Sequence, residues 1–151
     1  MSEALEIIAS LYLPVTNGKL LLPNVSVAEV VAYQAPSLVT GKPDYYLGTF
    51  QWRGVSVPLI SYELANDENA FTAPEMARIA VINSLGEQKD KLPFFAIVTQ
   101  GIPRLIKISS NLIEPSDEML GPADSAKVRV DGEEANIPNI AFLESLIYPH
   151  V

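Results

Sequence analysis

Few residues in this chain could do chemistry, and their spacing argues against most of it. The single His, His150, is the penultimate residue of the sequence, and Cys is absent. A chain terminus holds an imidazole poorly, so His150 is expected to be solvated. Ser–His, Cys–His and His-based metal arrangements then fall away. The lack of Cys excludes disulfides, thiolate metal sites and thiol nucleophiles. Neither GxxxxGK[ST] nor GxGxxG occurs, so no phosphate cradle is expected. The acids cluster as Asp67/Glu68, Asp117/Glu118 and Asp131/Glu133/Glu134. Paired carboxylates could serve glycoside hydrolysis or hold a hard cation. All three clusters fall in predicted turns or loops, where solvated acids are usual. The expectation is therefore no catalytic residue, no cofactor and no metal.

One constellation resists so plain a reading. Arg53-Gly54 sits between two very apolar runs, and Glu29 lies in the middle of another. Gly54 suits a turn that needs positive φ. Arg53 is either a solvated turn residue or a guanidinium that reaches an acid such as Glu29 and shapes a docking surface. Trp52, Tyr45 and Tyr46 bracket the run before it. They could stack a ligand or simply pack.

The elements that must position these residues read as short strands. Glu6–Leu13 and Lys19–Leu22 flank Asn17-Gly18, a strong hairpin signal. Val25–Tyr33 reads as a short helix or an extended run. The segment 34–45, with Pro36, Gly41 and Pro43, reads as a loop. Tyr46–Trp52 and Val55–Tyr62 form strands about Arg53-Gly54, with Pro58 implying an edge position or a bulge. The segment 63–75 reads as a polar loop. Arg78–Asn83 pairs with Leu92–Thr99 across the charged turn 86–91. Arg104–Ile108 follows the Gly101-Ile-Pro break. The segment 109–126 reads as a loop. Lys127–Val130 and Glu134–Ile137 flank Asp131-Gly132. Asn139 can cap a closing helix with Phe142, Leu143, Leu146 and Ile147 on one face, ended by Pro149. Nine or ten short strands and one helix suggest barrels or a sandwich.

Composition agrees. The 151 residues carry 48% hydrophobic residues and a net charge of −8. That is enough apolar content for a core, and no basic stripe is present for nucleic acid or an anionic membrane. The start has two acids and no base, unlike a signal peptide, and no apolar run approaches a membrane span. The expected setting is soluble and cytoplasmic.

Val27-Ala28-Glu29-Val30, then Tyr46-Leu-Gly48-Thr-Phe-Gln-Trp-Arg53-Gly54-Val-Ser-Val-Pro58-Leu-Ile, resembles the CheW-like chemotaxis coupling domain in order and spacing. The later strands match in pattern more than in identity. Two departures, at 59–63 and at Gln100-Gly-Ile-Pro103, resemble the ChpC-type proteins of pilus-motility chemosensory systems. The resemblance implies a mainly β domain over 4–148, built as two intertwined five-stranded SH3-like barrels with a short C-terminal helix. It implies no enzyme but an adaptor between the cytoplasmic tip of a chemoreceptor and the regulatory domain of a CheA-type histidine kinase. Such an adaptor would sit at membrane-associated receptor arrays through its partners, without inserting in the membrane. The positions carried over for partner binding are Val27, Glu29, Val30, Gly48, Arg53, Gly54 and Val57. An adaptor engaging only receptor or only kinase is a narrower form of this reading. The alternative from another class is a small β-barrel enzyme using the Asp117/Glu118 or Asp131–Glu134 acids, which lacks a positioned base and an electrophilic site.

Overall fold

Three two-residue signals lie where the chain reverses, and two of them can be followed in full. Arg53 and Gly54 take φ of 48° and 77°, and Asp131 and Gly132 take 51° and 81°. Two successive positive φ values give the hairpin turn whose twist matches the flanking strands. The computed structural model describes residues 7–16, 18–66, 76–85 and 91–150. Glu6, Asn17, the Asp67/Glu68 pair and most of the charged turn (86–90) lie outside the described residues.

Around these turns run β1 (Ile7–Val15), β2 (Gly18–Pro23), β3 (Val27–Ala32), β4 (Tyr46–Trp52) and β5 (Val55–Ile60). A short helix α1 (Tyr62–Ala65) is followed by β6 (Ala77–Asn83), β7 (Phe94–Gln100), β8 (Arg104–Ser109) and β9 (Ile113–Pro115). The hairpin β10 (Asp124–Val130) and β11 (Glu133–Pro138) leads to helix α2 (Ile140–Ile147). The strands form two sheets, ordered β8-β1-β2-β11-β10-β9 and β3-β6-β7-β5-β4. The chain leaves the first sheet after β2, builds the whole second sheet, and returns to complete the first. The fold is mainly β, with SH3-like sheets and a short C-terminal helix, as expected. The first sheet has six strands rather than five because β9 adds to it.

Strand alternation sorts the side chains into three cores. Leu13, Val15, Leu20 and Leu22 of the first sheet meet Ile60, Ala80, Ile82, Phe95 and Ile97 of the second in a central core. The opposite face of the second sheet buries Phe50, Trp52, Val57, Leu59, Ile79, Val81, Ala96 and Val98. The opposite face of the first buries Tyr12, Leu21, Ile108, Val128, Val130 and Ala135. β6 and β7 are thus apolar on both faces, which explains their unbroken runs of Ile, Val and Ala. Leu143 and Ile147 of α2 are fully buried in the central core, and the Asn139 side chain caps the helix by accepting from Phe142 N at 3.0 Å.

One open reading is settled and two expectations are corrected. The segment from Val25 is extended: a 3-10 turn at Asn24–Ser26 opens directly into β3. The segment from residue 63 is not loop at its start but part of α1, whose Ser61 cap accepts from Leu64 N at 3.1 Å. Glu63 is buried there and accepts from Thr16 N and Oγ1 at 3.2 and 2.7 Å, tying α1 to the end of β1. The segment 109–126 holds β9 and the start of β10. Its Asp124 is buried and bonded to Tyr62 Oη, Asn66, Asn136 and Gly121 N, a network that local sequence does not announce. Pro58 keeps a free edge, as expected: β5 lies between β4 and β7, but its pairing with β7 begins only at Leu59, and the hairpin's bulge lies one pair further on, between Tyr46 and Gly48.

Candidate functional site

The site builds from an irregularity in β3. Val27 pairs with Ile82, but Glu29 pairs with Val81, so one extra residue is inserted between them. Such a bulge breaks alternation. Val27 and Val30, three residues apart, both turn to the central core, while Ala28 and Val31 pack on the second core. Glu29 shares its face with Val81, and that face carries it towards the end of the β4–β5 hairpin.

Trp52 and Arg53 meet it there. The Trp52 indole N–H donates to Glu29 Oε1 at 2.8 Å, and Arg53 Nη2 lies 3.2 Å from the same oxygen. The Arg53 guanidinium stacks 4.8 Å over the Trp52 ring. The Trp52 ring itself is buried edge-on against Phe94. Arg53 reaches Glu29 while its guanidinium stays mostly exposed. β3 and β4 are opposite edges of the second sheet, so this triad brings the two edges together as an SH3-like roll requires. The energy is modest. Arg53 is 66% exposed and Glu29 40%, so the ion pair contributes about 0–1 kcal/mol and the stacking ~0.5–1 kcal/mol. The arrangement fixes the direction of a guanidinium more than it stabilises the fold.

The other carried-over residues divide. Gly54 is exposed at the turn with open space around its Cα. Val27 and Val30 are half-buried. Val57 is fully buried in the second core and can act only through packing. Gly48 is buried with φ of 142°, and a Cβ there would lie 2.2 Å from the Ser37 carbonyl oxygen. Ser37 bridges to Thr49 by paired backbone hydrogen bonds, so Gly48 lets the 34–45 segment cross β4. Tyr45 and Tyr46 are packing residues, with Tyr45 Oη donating to Leu146 O at 3.1 Å.

His150 is half-buried rather than fully solvated. A 3-10 turn, Tyr148–His150, follows α2 and lays the imidazole edge-on against Tyr46 at 5.9 Å. Among the described residues, several of the acids considered for catalysis serve in ion pairs or turn geometry. Glu118 pairs with Lys127, Glu134 with Arg129, and Asp131 occupies the hairpin turn. Glu133 binds Arg104 and Lys19, both of which also lie over the Tyr12 ring. The Arg104 hydrogen bond holds the Glu133 carboxyl below its ordinary range, while burial pushes the Tyr12 phenol up. Among the described residues no group of three or more acids or His could hold a metal, and no helix is long and apolar enough to cross a membrane.

Sequence reasoning misses two features. The Trp52 N–H partner is legible only as a lone acid inside an apolar run. The Asp124 network carries no local signal.

Two SH3-like sheets sharing a central core, with an aromatic-backed ion pair at a hairpin tip, define a class of small two-sheet β-domain. The chain belongs to the CheW-like domain family, whose model matches residues 11–144. Among solved structures it is similar to TtCheW, a scaffolding protein from Thermoanaerobacter tengcongensis. The TM-score is 0.76 over 91% of this chain and 92% of that one, at 18% identity. No curated protein matches the chain.

Proposed function

We propose that this protein is a non-enzymatic chemotaxis adaptor, coupling the cytoplasmic tip of a methyl-accepting chemoreceptor to the regulatory domain of a CheA-type histidine kinase. The observation that carries the reading is the Glu29–Trp52–Arg53 triad. It presents a directed guanidinium at an exposed turn, with the half-buried Val27 and Val30 on the other face of the same edge strand. Apolar contact at the valines supplies affinity, and the charged pair supplies orientation for a helical partner. Gly48 and Val57 belong to the site as supports of the hairpin. A signalling scaffold exchanges partners, so a modest interface suffices. The setting is cytoplasmic, at receptor arrays through the partners, and the ChpC-type wording of the sequence favours a pilus-motility system.

Arg53→Glu places two carboxylates together at the tip and leaves the core untouched. The variant is expected to keep its circular dichroism spectrum and to lose pull-down of a receptor tip fragment. Wild-type binding by the folded variant would remove the site assignment.

A narrower reading, with one partner only, has its own support. Gln100 follows a strand near whose end family members usually carry an Asp, and its Nε2 donates to Val15 O at 3.2 Å. An Asp has no donor for that carbonyl, so this position is turned inward to bind β7 to β1. Titrating the receptor fragment and the kinase regulatory domain separately decides between the readings, since binding to both excludes the narrower one.

A further inference from the structure

The β5–β7 pairing is parallel and begins only at Leu59 opposite Ala96. Pro58 stands one residue earlier and has no N–H to give. In a two-residue hairpin the pairs flanking the turn exchange hydrogen bonds, here Trp52 with Val55 and then Phe50 with Val57. The backbone groups of Ser56 and Pro58 therefore point away from β4, towards β7. Pairing lapses at the proline, and the strands enclose a cleft of about 330 Å³. Val55, Ser56 and Pro58 line one side, and Leu92, Pro93 and Phe94 the other. Tyr46 adds to the apolar lining, with His150 packed against it.

Among the described residues, the charged groups lining this cleft are Lys42 and Lys91, with His150 beside them and no acid. Lys19, Arg53, Arg104, Lys127 and Arg129 are in ion pairs, whereas Lys42 and Lys91 form none among the described residues. On a chain of net charge −8, this is a local reversal that an acidic occupant would complement. The free backbone edge at Ser56 calls for a peptide rather than a small acid. We propose that this cleft takes an extended segment of a partner protein. The segment lies alongside β5 at Ser56, its acidic side chain meets Lys42 and Lys91, and its apolar side chain rests on Tyr46 and Phe94. The inference stands on the cleft alone and does not depend on the receptor–kinase reading.

The test is selection from a displayed library of random heptapeptides, followed by synthesis of the winners in capped form. Enriched peptides are expected to carry Asp or Glu next to an apolar residue and to shift the Ser56 and Phe94 amide resonances. Replacing their acids by amides, or N-methylating the residue opposite Ser56, should weaken binding tenfold or more. The double variant K42E/K91E should do the same while its circular dichroism and Trp52 fluorescence stay unchanged. No enrichment, enrichment of neutral or basic peptides, or binding indifferent to K42E/K91E overturns the proposal. So does octanoate binding the cleft as tightly as the best peptide, which would make it a small-acid site.

Discussion

Arg53 shows how little energy a directed side chain needs. Its charge is held by one exposed carboxylate and one aromatic face, yet the carboxylate is itself fixed by a buried indole N–H. Glu29→Gln keeps an acceptor for that N–H and removes only the charge, so it should cost under about 1 kcal/mol in urea unfolding. Glu29→Ala leaves the indole donor without its partner and should cost about 1–2 kcal/mol. Trp52 is the only Trp, so its fluorescence reports the change directly. An Ala variant no worse than the Gln variant would show that the indole bond is energetically idle. Gly48 argues from sterics instead. Its φ is 142°, and the Ser37 carbonyl oxygen lies 2.2 Å from where a Cβ would stand, which leaves no room for any side chain. Gly48→Ala is expected to lower stability by about 2 kcal/mol or more, or to push the 34–45 segment off β4. Exchange of the Ser37 and Thr49 amides measures the second outcome.

Among the elements, four strands meet at one charge cluster: Tyr12 of β1, Lys19 just inside β2, Arg104 of β8 and Glu133 of β11. The folded state holds Glu133 below its ordinary value of 4.5. A lowered carboxyl pKa contributes stability that is present above about pH 4.5 and lost as pH falls through the folded value. The phenol of Tyr12, like those of Tyr45 and Tyr46, is raised above 10.0. Its contribution is complete below about pH 10 and lost as pH rises beyond it. Stability should therefore fall at both ends. Glu133→Gln should flatten the acid limb and also lessen the alkaline one, since the Glu133 charge helps to raise the Tyr12 phenol. An acid limb as steep in the variant as in the wild type would assign it to other carboxylates. Much at this level is legible in the sequence. Arg53-Gly54, Asp131-Gly132 and the Asn139 cap are local signals, and their elements form where those signals stand. Pro58 signals a free edge, but that the rest of β5 is interior depends on where pairing with β7 begins, which no stretch of β5 encodes. Asp124 has the local surroundings of a loop residue because its partners, Tyr62, Asn66 and Asn136, come from α1, its C-terminal end and β11.

For the whole molecule, the decisive fact is that the central core is shared. The chain makes the second sheet between two parts of the first, and neither sheet can cover its inner face alone. Unfolding should thus be a single transition across both sheets. The Trp52 fluorescence of the second core and the far-ultraviolet circular dichroism of both sheets should give one urea midpoint. Separate midpoints would show the sheets to be independent folding units.

By itself the sequence determined the strand-rich class, the hairpin turns, the helix cap and the family-like block around Arg53, because each rests on residues close together in the chain. Its scarcity of His and its lack of Cys also bounded the chemistry available. Only the tertiary structure decided that Glu29 would share one oxygen between Trp52 and Arg53. It also decided that Val57 and Gly48 would be buried, that His150 would pack on Tyr46, and that Lys42 and Lys91 would flank a common cleft. These outcomes depend on a bulge in β3, a lapse in pairing at Pro58 and the meeting of sheet edges. Each is a relation between segments distant in sequence, set by packing and register rather than by local propensity.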